Sequence, residues 1–124
     1  MNKSKSIFIL LFSFLCVQTF AQHSLNILRE EVMIPMRDGV RLHTRVFVPR
    51  DQREALPFLM NRTPYGIGGM EGRLDAAYKA LADEGYIFVF QDIRGKFTSE
   101  GTFVMQRPAR APGDTTTLDE GTDT

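Results

Sequence analysis

Cysteine, histidine and tryptophan are nearly missing from this sequence, and each absence removes a class of chemistry. Among 124 residues there is one cysteine, there are two histidines, and there is no tryptophan. The one thiol, Cys16, falls inside an N-terminal apolar segment, so the rest of the chain has no disulfide, no Cys-ligated metal and no cysteine nucleophile. His23 and His43 are isolated, and no helical stretch carries paired His or carboxylate ligands at metal spacing. Both histidines are expected to be structural or solvent-exposed. A charge excess of either sign is missing too: 15 Lys and Arg balance 15 Asp and Glu, and only the final six residues form an acidic block. Nucleic acid and anionic membrane surfaces are therefore excluded as partners.

Long hydrophobic runs are equally scarce. The one at the N-terminus, Ile7 to Val17, is too short for a comfortable membrane span, and no second run follows. Lys3 and Lys5 precede it, and Thr19-Phe20-Ala21 places small residues where a signal peptidase inspects the chain. Residues 1–21 are thus read as a secretory signal peptide cut after Ala21, leaving a secreted or periplasmic mature chain, 22–124. Phe14 and Leu15 are too bulky before Cys16 for a lipobox. The roughly hundred remaining residues are near the lower end of what encloses a core without staples.

Leu25 to Ile34 favours a strand, Arg37-Asp38-Gly39 a turn, and Val40, Leu42, Thr44, Val46 and Val48 alternate with Arg41, His43, Arg45 and Phe47. This predicts a β-hairpin with one wet face. Leu56 to Met60 and Tyr86 to Phe90 are apolar without alternation, as strands of a covered parallel sheet are. Between them Leu74, Ala77, Tyr78 and Leu81 make a helical stripe closed by Gly85. Tyr78 and Tyr86 are assigned to the core. Hairpin, strand, glycine loop, helix, strand is the opening of an α/β-hydrolase sheet, with a right-handed crossover expected. A long loop follows from Gln91, and the last strand is expected to leave an unpaired edge and an uncovered apolar face, which favours association. Asp119 to Thr124 are residues that open a helix. The chain therefore reads as stopping mid-fold.

The loop Asn61-Arg62-Thr63-Pro64-Tyr65-Gly66-Ile67-Gly68-Gly69 is the candidate floor of an active site. Pro64 stiffens the turn that carries Tyr65, and Gly66, Gly68 and Gly69 allow backbone approaches that a Cβ would forbid. Such a loop at the C-terminal end of a buried strand is where open α/β sheets put their ligand crevice. The bland alternative is a plain Gly/Pro connection. The nucleophile elbow G-x-S-x-G does not occur: around Ser99 the first glycine, Gly95, is misplaced, so Ser99 is not the nucleophile. Asp92 and Arg94, just past a buried strand, are read as an internal hydrogen-bonded pair holding the loop rather than as catalytic groups, and Lys96 and Glu100 as solvated.

Three blocks, Val32 to Arg45, Arg62-Thr63-Pro64-Tyr65, and Phe90 to Lys96 continuing through Ser99-Glu100-Gly101 to Arg107-Pro108, resemble the X-prolyl dipeptidyl-peptidase-like α/β-hydrolases. This family includes cocaine esterase and the α-amino acid ester hydrolases, and the blocks look closest to the latter. The resemblance implies that Tyr65 donates its phenolic O–H to the oxyanion, partnered by a backbone N–H beside the catalytic serine. It implies acyl transfer on small esters, amides or short peptides, with no cofactor and no metal, and a triad beyond Thr124. Residues 22–124 are then the N-terminal portion of such a domain, inactive alone, with an oligomer left open. An X-Pro dipeptidyl-peptidase, a general carboxylesterase and a non-catalytic secreted remnant remain as alternatives.

Overall fold

The computed structural model describes residues 26–123, so the expected signal peptide at residues 1–21, Cys16, His23 and Thr124 lie outside the described residues. Two alternating runs separated by Arg37-Asp38-Gly39 pair as an antiparallel hairpin, β1 (Ile27–Pro35) with β2 (Arg41–Pro49). Gly39 turns the chain at a φ of +84°, which a side chain rarely adopts. The Met36 carbonyl accepts from its N–H at 2.9 Å.

The two non-alternating runs become β3 (Phe58–Thr63) and β4 (Ile87–Asp92), and they lie parallel to each other. β4 also pairs antiparallel with β2, so the order is β1-β2-β4-β3 in one mixed, open sheet. The fold is α/β in class and corresponds to the N-terminal part of an α/β-hydrolase-like sheet. One expectation is corrected. The last strand does not form an edge, because the hairpin docks on its free side and leaves β3 at the margin. Both parallel strands also run past their apolar stretches, to Thr63 and Asp92. Gln91 sits in the ladder because Arg62 Nε donates to its side-chain carbonyl at 2.9 Å and its amide donates to Thr44 Oγ1 at 2.9 Å. Paired polar groups can be buried without the penalty that unpaired ones carry.

The crossover between β3 and β4 is less helical than its stripe predicts. A 3₁₀ turn spans Met70–Arg73, turns follow, and the α-helix proper, α1, is only Lys79–Asp83. Gly68, Gly69 and Gly72 weaken the helical backbone of the first turns. The altered phase turns Ala77 to solvent and buries Ala82 instead. At the far end Gly85 N–H donates to Ala82 O and Tyr86 N–H to Leu81 O, both at 3.1 Å, closing α1 in a Schellman motif.

The core lies between this segment and one sheet face: Phe47, Ile67, Met70, Leu74, Ala82, Phe88 and Phe90. Tyr78 packs its ring 5.6 Å from Phe88 and 6.1 Å from Phe90, and Phe47 meets Phe90 edge-on at 5.7 Å. Tyr78 and Tyr86 flank this cluster half-buried, in agreement with their assignment to the core. Each buried phenylalanine contributes about 1.5–3 kcal/mol of apolar transfer. β2 has no wet face in its middle. Leu42 and Thr44 are buried on one side and His43 and Phe47 on the other.

Candidate active site

β3 ends at Thr63, whose buried hydroxyl accepts the Tyr65 backbone N–H at 3.1 Å. That short bond and the fixed φ of Pro64 hold Tyr65 at the carboxyl end of β3, beside the parallel end of β4. The Tyr65 side chain stands out from the sheet edge, 86% exposed. Two clefts share it. One, of about 400 Å³, is walled by Ile93, Lys96, Phe103, Val104 and Met105 and is mainly apolar. The other, of about 390 Å³, is walled by Glu31, His43, Arg45, Asp92 and Phe97 and is mainly polar.

Of the three loop glycines only Gly66 is required by geometry. Its φ is +90°, and a Cβ there would meet the Phe97 ring at 3.0 Å. Gly68 and Gly69 have open space around them, so the expectation of close approach at all three is corrected. Phe97 itself adopts a left-handed φ of +50°, unusual for a bulky residue, and its ring is what meets Gly66.

The expected Asp92–Arg94 pair does not form. Asp92 ends a strand with its side chain toward β2, while Arg94 lies beyond the strand and turns back toward the hairpin. Asp92 is 2% exposed; its Oδ2 lies 3.0 Å from His43 Nδ1, and its Oδ1 has no hydrogen-bond partner among the described residues. Arg94, equally enclosed, forks onto two carboxylates. Its Nε and Nη2 donate to Asp123 at 2.9 and 2.6 Å, and its Nη1 and Nη2 donate to Asp38 at 2.7 and 3.1 Å. The guanidinium, charge-paired twice, has its pKa raised above the ordinary value, chiefly by the hydrogen bonds to Asp123 and then Asp38.

Lys96 and Glu100 keep contact with solvent, as expected, and each also has a partner. Glu100 takes the Arg41 backbone N–H at 2.9 Å and its guanidinium at 3.0 and 2.6 Å, which lowers the Glu100 pKa. Lys96 Nζ sits 4.0 Å above the Phe103 ring. Ser99 is buried, donating to the Asp92 carbonyl at 2.7 Å and accepting the His43 backbone N–H at 2.9 Å, an arrangement for pinning a loop.

His43 is the residue the sequence pattern passed over. Of the two expectations for it, the structure selects burial: it is 7% exposed and lies between two carboxyl groups, with Nε2 2.6 Å from Glu31 Oε1. The signal was present only in register, since Met33 faces His43 and Glu31 faces Arg45 across the hairpin. Among the described residues no group of three or more His, Cys, Asp or Glu is set to hold a metal ion.

The family model for X-Pro dipeptidyl-peptidase, the S15 family, matches residues 38–123. Cocaine esterase of Rhodococcus sp. (strain MB1 Bresler) is 40% identical over 75 residues, which cover 59% of this chain and 13% of the esterase. The structure of an α-amino acid ester hydrolase superposes with a TM-score of 0.68 at 42% identity, over 83% of this chain and 18% of that one. An aminopeptidase from the marine sediment archaeon Thaumarchaeota archaeon superposes at 0.67 with 35% identity, over 80% of this chain and 18% of its own. The chain thus spans less than a fifth of the length of each of these proteins. The matched residues take in the hairpin turn, the Tyr65 loop, both parallel strands and the Arg94–Asp123 contact, and on that ground the chain belongs to the X-Pro dipeptidyl-peptidase (S15) family.

Proposed function

We propose that this chain is the oxyanion-stabilising part of an exported serine hydrolase that cleaves esters or amides through an acyl-enzyme, most like the α-amino acid ester hydrolases. One observation carries the reading: a phenol on a proline-stiffened bend stands open to solvent at the carboxyl edge of two parallel strands. Attack on a carbonyl moves negative charge onto its oxygen, and a donor already oriented there needs no reorganisation during the reaction. Tyr65 supplies that donor, and its second partner is a backbone N–H next to the serine. The serine, acid and base are contributed by residues outside these 124, since no G-x-S-x-G elbow occurs within them.

The apolar cleft beside Tyr65 suits the hydrocarbon of a small ester or amide. A second reading, hydrolysis of X-Pro dipeptides, follows from the description of the matched family model. Export rests on residues 1–21, and N-terminal sequencing of the protein from culture supernatant or periplasm checks it through a start at Gln22.

The decisive experiment transplants residues 26–123 in place of the equivalent stretch of an α-amino acid ester hydrolase. The 124-residue chain alone is expected to give no turnover of a nitrophenyl ester, whereas the chimera hydrolyses it. Tyr65→Phe in the chimera then lowers kcat by about 10²–10³ with KM little changed. An unchanged kcat would remove Tyr65 from the mechanism, and preference for an X-Pro amide over amino acid esters would favour the peptidase.

A further inference from the structure

The polar cleft is framed by an ionic chain that the proposed acyl chemistry does not use. Arg45 Nη1 donates to the Gly68 carbonyl at 3.2 Å and its Nε donates to Glu31 Oε2 at 3.2 Å. Glu31 Oε1 lies 2.6 Å from His43 Nε2, and His43 Nδ1 lies 3.0 Å from Asp92 Oδ2. Ser99 ties the loop after β4 to the backbone of the same two residues, accepting from the His43 N–H and donating to the Asp92 carbonyl, so the ring itself reaches that loop only through the Asp92 carboxyl group. The chain therefore runs from the glycine loop behind Tyr65, across β2 and β1, to the end of β4 and the 93–101 loop.

The two ring contacts bear directly on protonation. A neutral imidazole has one N–H and one lone pair, so a carboxylate at each nitrogen would leave lone pair facing lone pair on one side. An imidazolium donates on both sides. The charged groups facing it are Glu31 from β1, Asp92 from β4 and, behind Glu31, Arg45 from β2 itself.

We propose that His43 is a positioning residue for the Tyr65 cleft: as an imidazolium it fastens Asp92 and the 93–101 loop on one side to Glu31, Arg45 and the glycine loop on the other. Loss of its proton gives up one of the two ring hydrogen bonds and loosens both loops that wall the cleft. Burial alone would lower the His43 pKa, but the hydrogen bonds to Asp92 and Glu31 outweigh it, so the net shift is upward from 6.5. This geometry stands whether or not Tyr65 donates to an oxyanion, and its test reads ring nitrogens and loop amides, not turnover.

In the 124-residue chain, ¹⁵N spectra of the imidazole at about pH 6 are expected to show both ring nitrogens protonated. On raising the pH through the His43 transition, protection of the 66–69 and 93–101 amides, corrected for intrinsic exchange, should fall about tenfold, while the β1–β2 ladder keeps its protection. Glu31→Gln, at an exposed carboxylate, should move the His43 transition down by about one unit. His43→Gln should remove the pH dependence of the loop amides. A single-proton tautomer at about pH 6, or loop protection that ignores the His43 transition, would overturn the proposal. The wild-type spectra decide it even if His43→Gln fails to fold.

Discussion

Arg94 cannot lose its partners singly, because a buried guanidinium and the carboxylates it satisfies are costly to leave half paired. With side chains of 7% exposure on both sides of the Arg94–Asp123 bridge, Arg94→Ala leaves Asp123 only the longer contact with Arg62 at 3.9 Å and frees the hairpin turn at Asp38. The expected loss is about 3–5 kcal/mol in urea unfolding, and Arg94→Lys should recover little of it because a lysine is a point donor without the fork. The same residues set the pH window. Hydrogen bonds from Arg94 lower the Asp38 pKa below 3.8, and those from His43 and Arg41 lower Glu31 and Glu100. Groups with lowered folded pKa values give stability above their unfolded pKa and lose it as pH falls through the folded one. His43, raised, contributes fully below 6.5 and loses its share as pH rises through its folded pKa. The urea midpoint is therefore expected to peak between about pH 4.5 and about pH 6.5, declining on both sides.

At the scale of the element, two glycines with positive φ separate backbone strain from collision. Gly85 has open space where a Cβ would project, so Gly85→Ala should cost only the left-handed strain at the end of α1, about 1–2 kcal/mol. At Gly95 a Cβ would lie 2.1 Å from the Phe103 nitrogen, so Gly95→Ala must displace the 93–103 loop and should cost clearly more. Paired urea titrations, with the Lys96–Phe103 contact followed by nuclear Overhauser effects, check the ordering. The hairpin, its turn and both parallel strands were legible because alternation and apolar runs reflect local burial. The helix was legible only as an apolar stripe. Its glycines and its tertiary seat on Phe88 and Phe90 decided how few residues became α-helical.

For the molecule as a whole, one sheet face is filled, while the other is covered at Leu42, Thr44 and Gln91 and open only toward its margins among the described residues. Leu28, Val32, Met60 and Phe58 lie on the open side, with exposures of 37%, 37%, 36% and 66%. β3 adds a free edge to that apolar face. A polypeptide of residues 26–123 is expected to self-associate as its concentration rises, read by light scattering after size exclusion, and Phe58→Lys at the edge should reduce it.

What the sequence determined by itself is the inventory: a hairpin, a strand-crossover-strand unit, and a Pro-Tyr-Gly bend after the first parallel strand. These are decided by neighbours a few residues apart, through φ limits and alternating burial. Only the tertiary structure decided partners. His43 and Asp92 are 49 residues apart in the chain, and Arg94 and Asp38 are 56 apart. Which buried charge satisfies which depends on strand order and register. A strand pattern encodes how much of a side chain is hidden, and it is silent on whose lone pair waits on the other side.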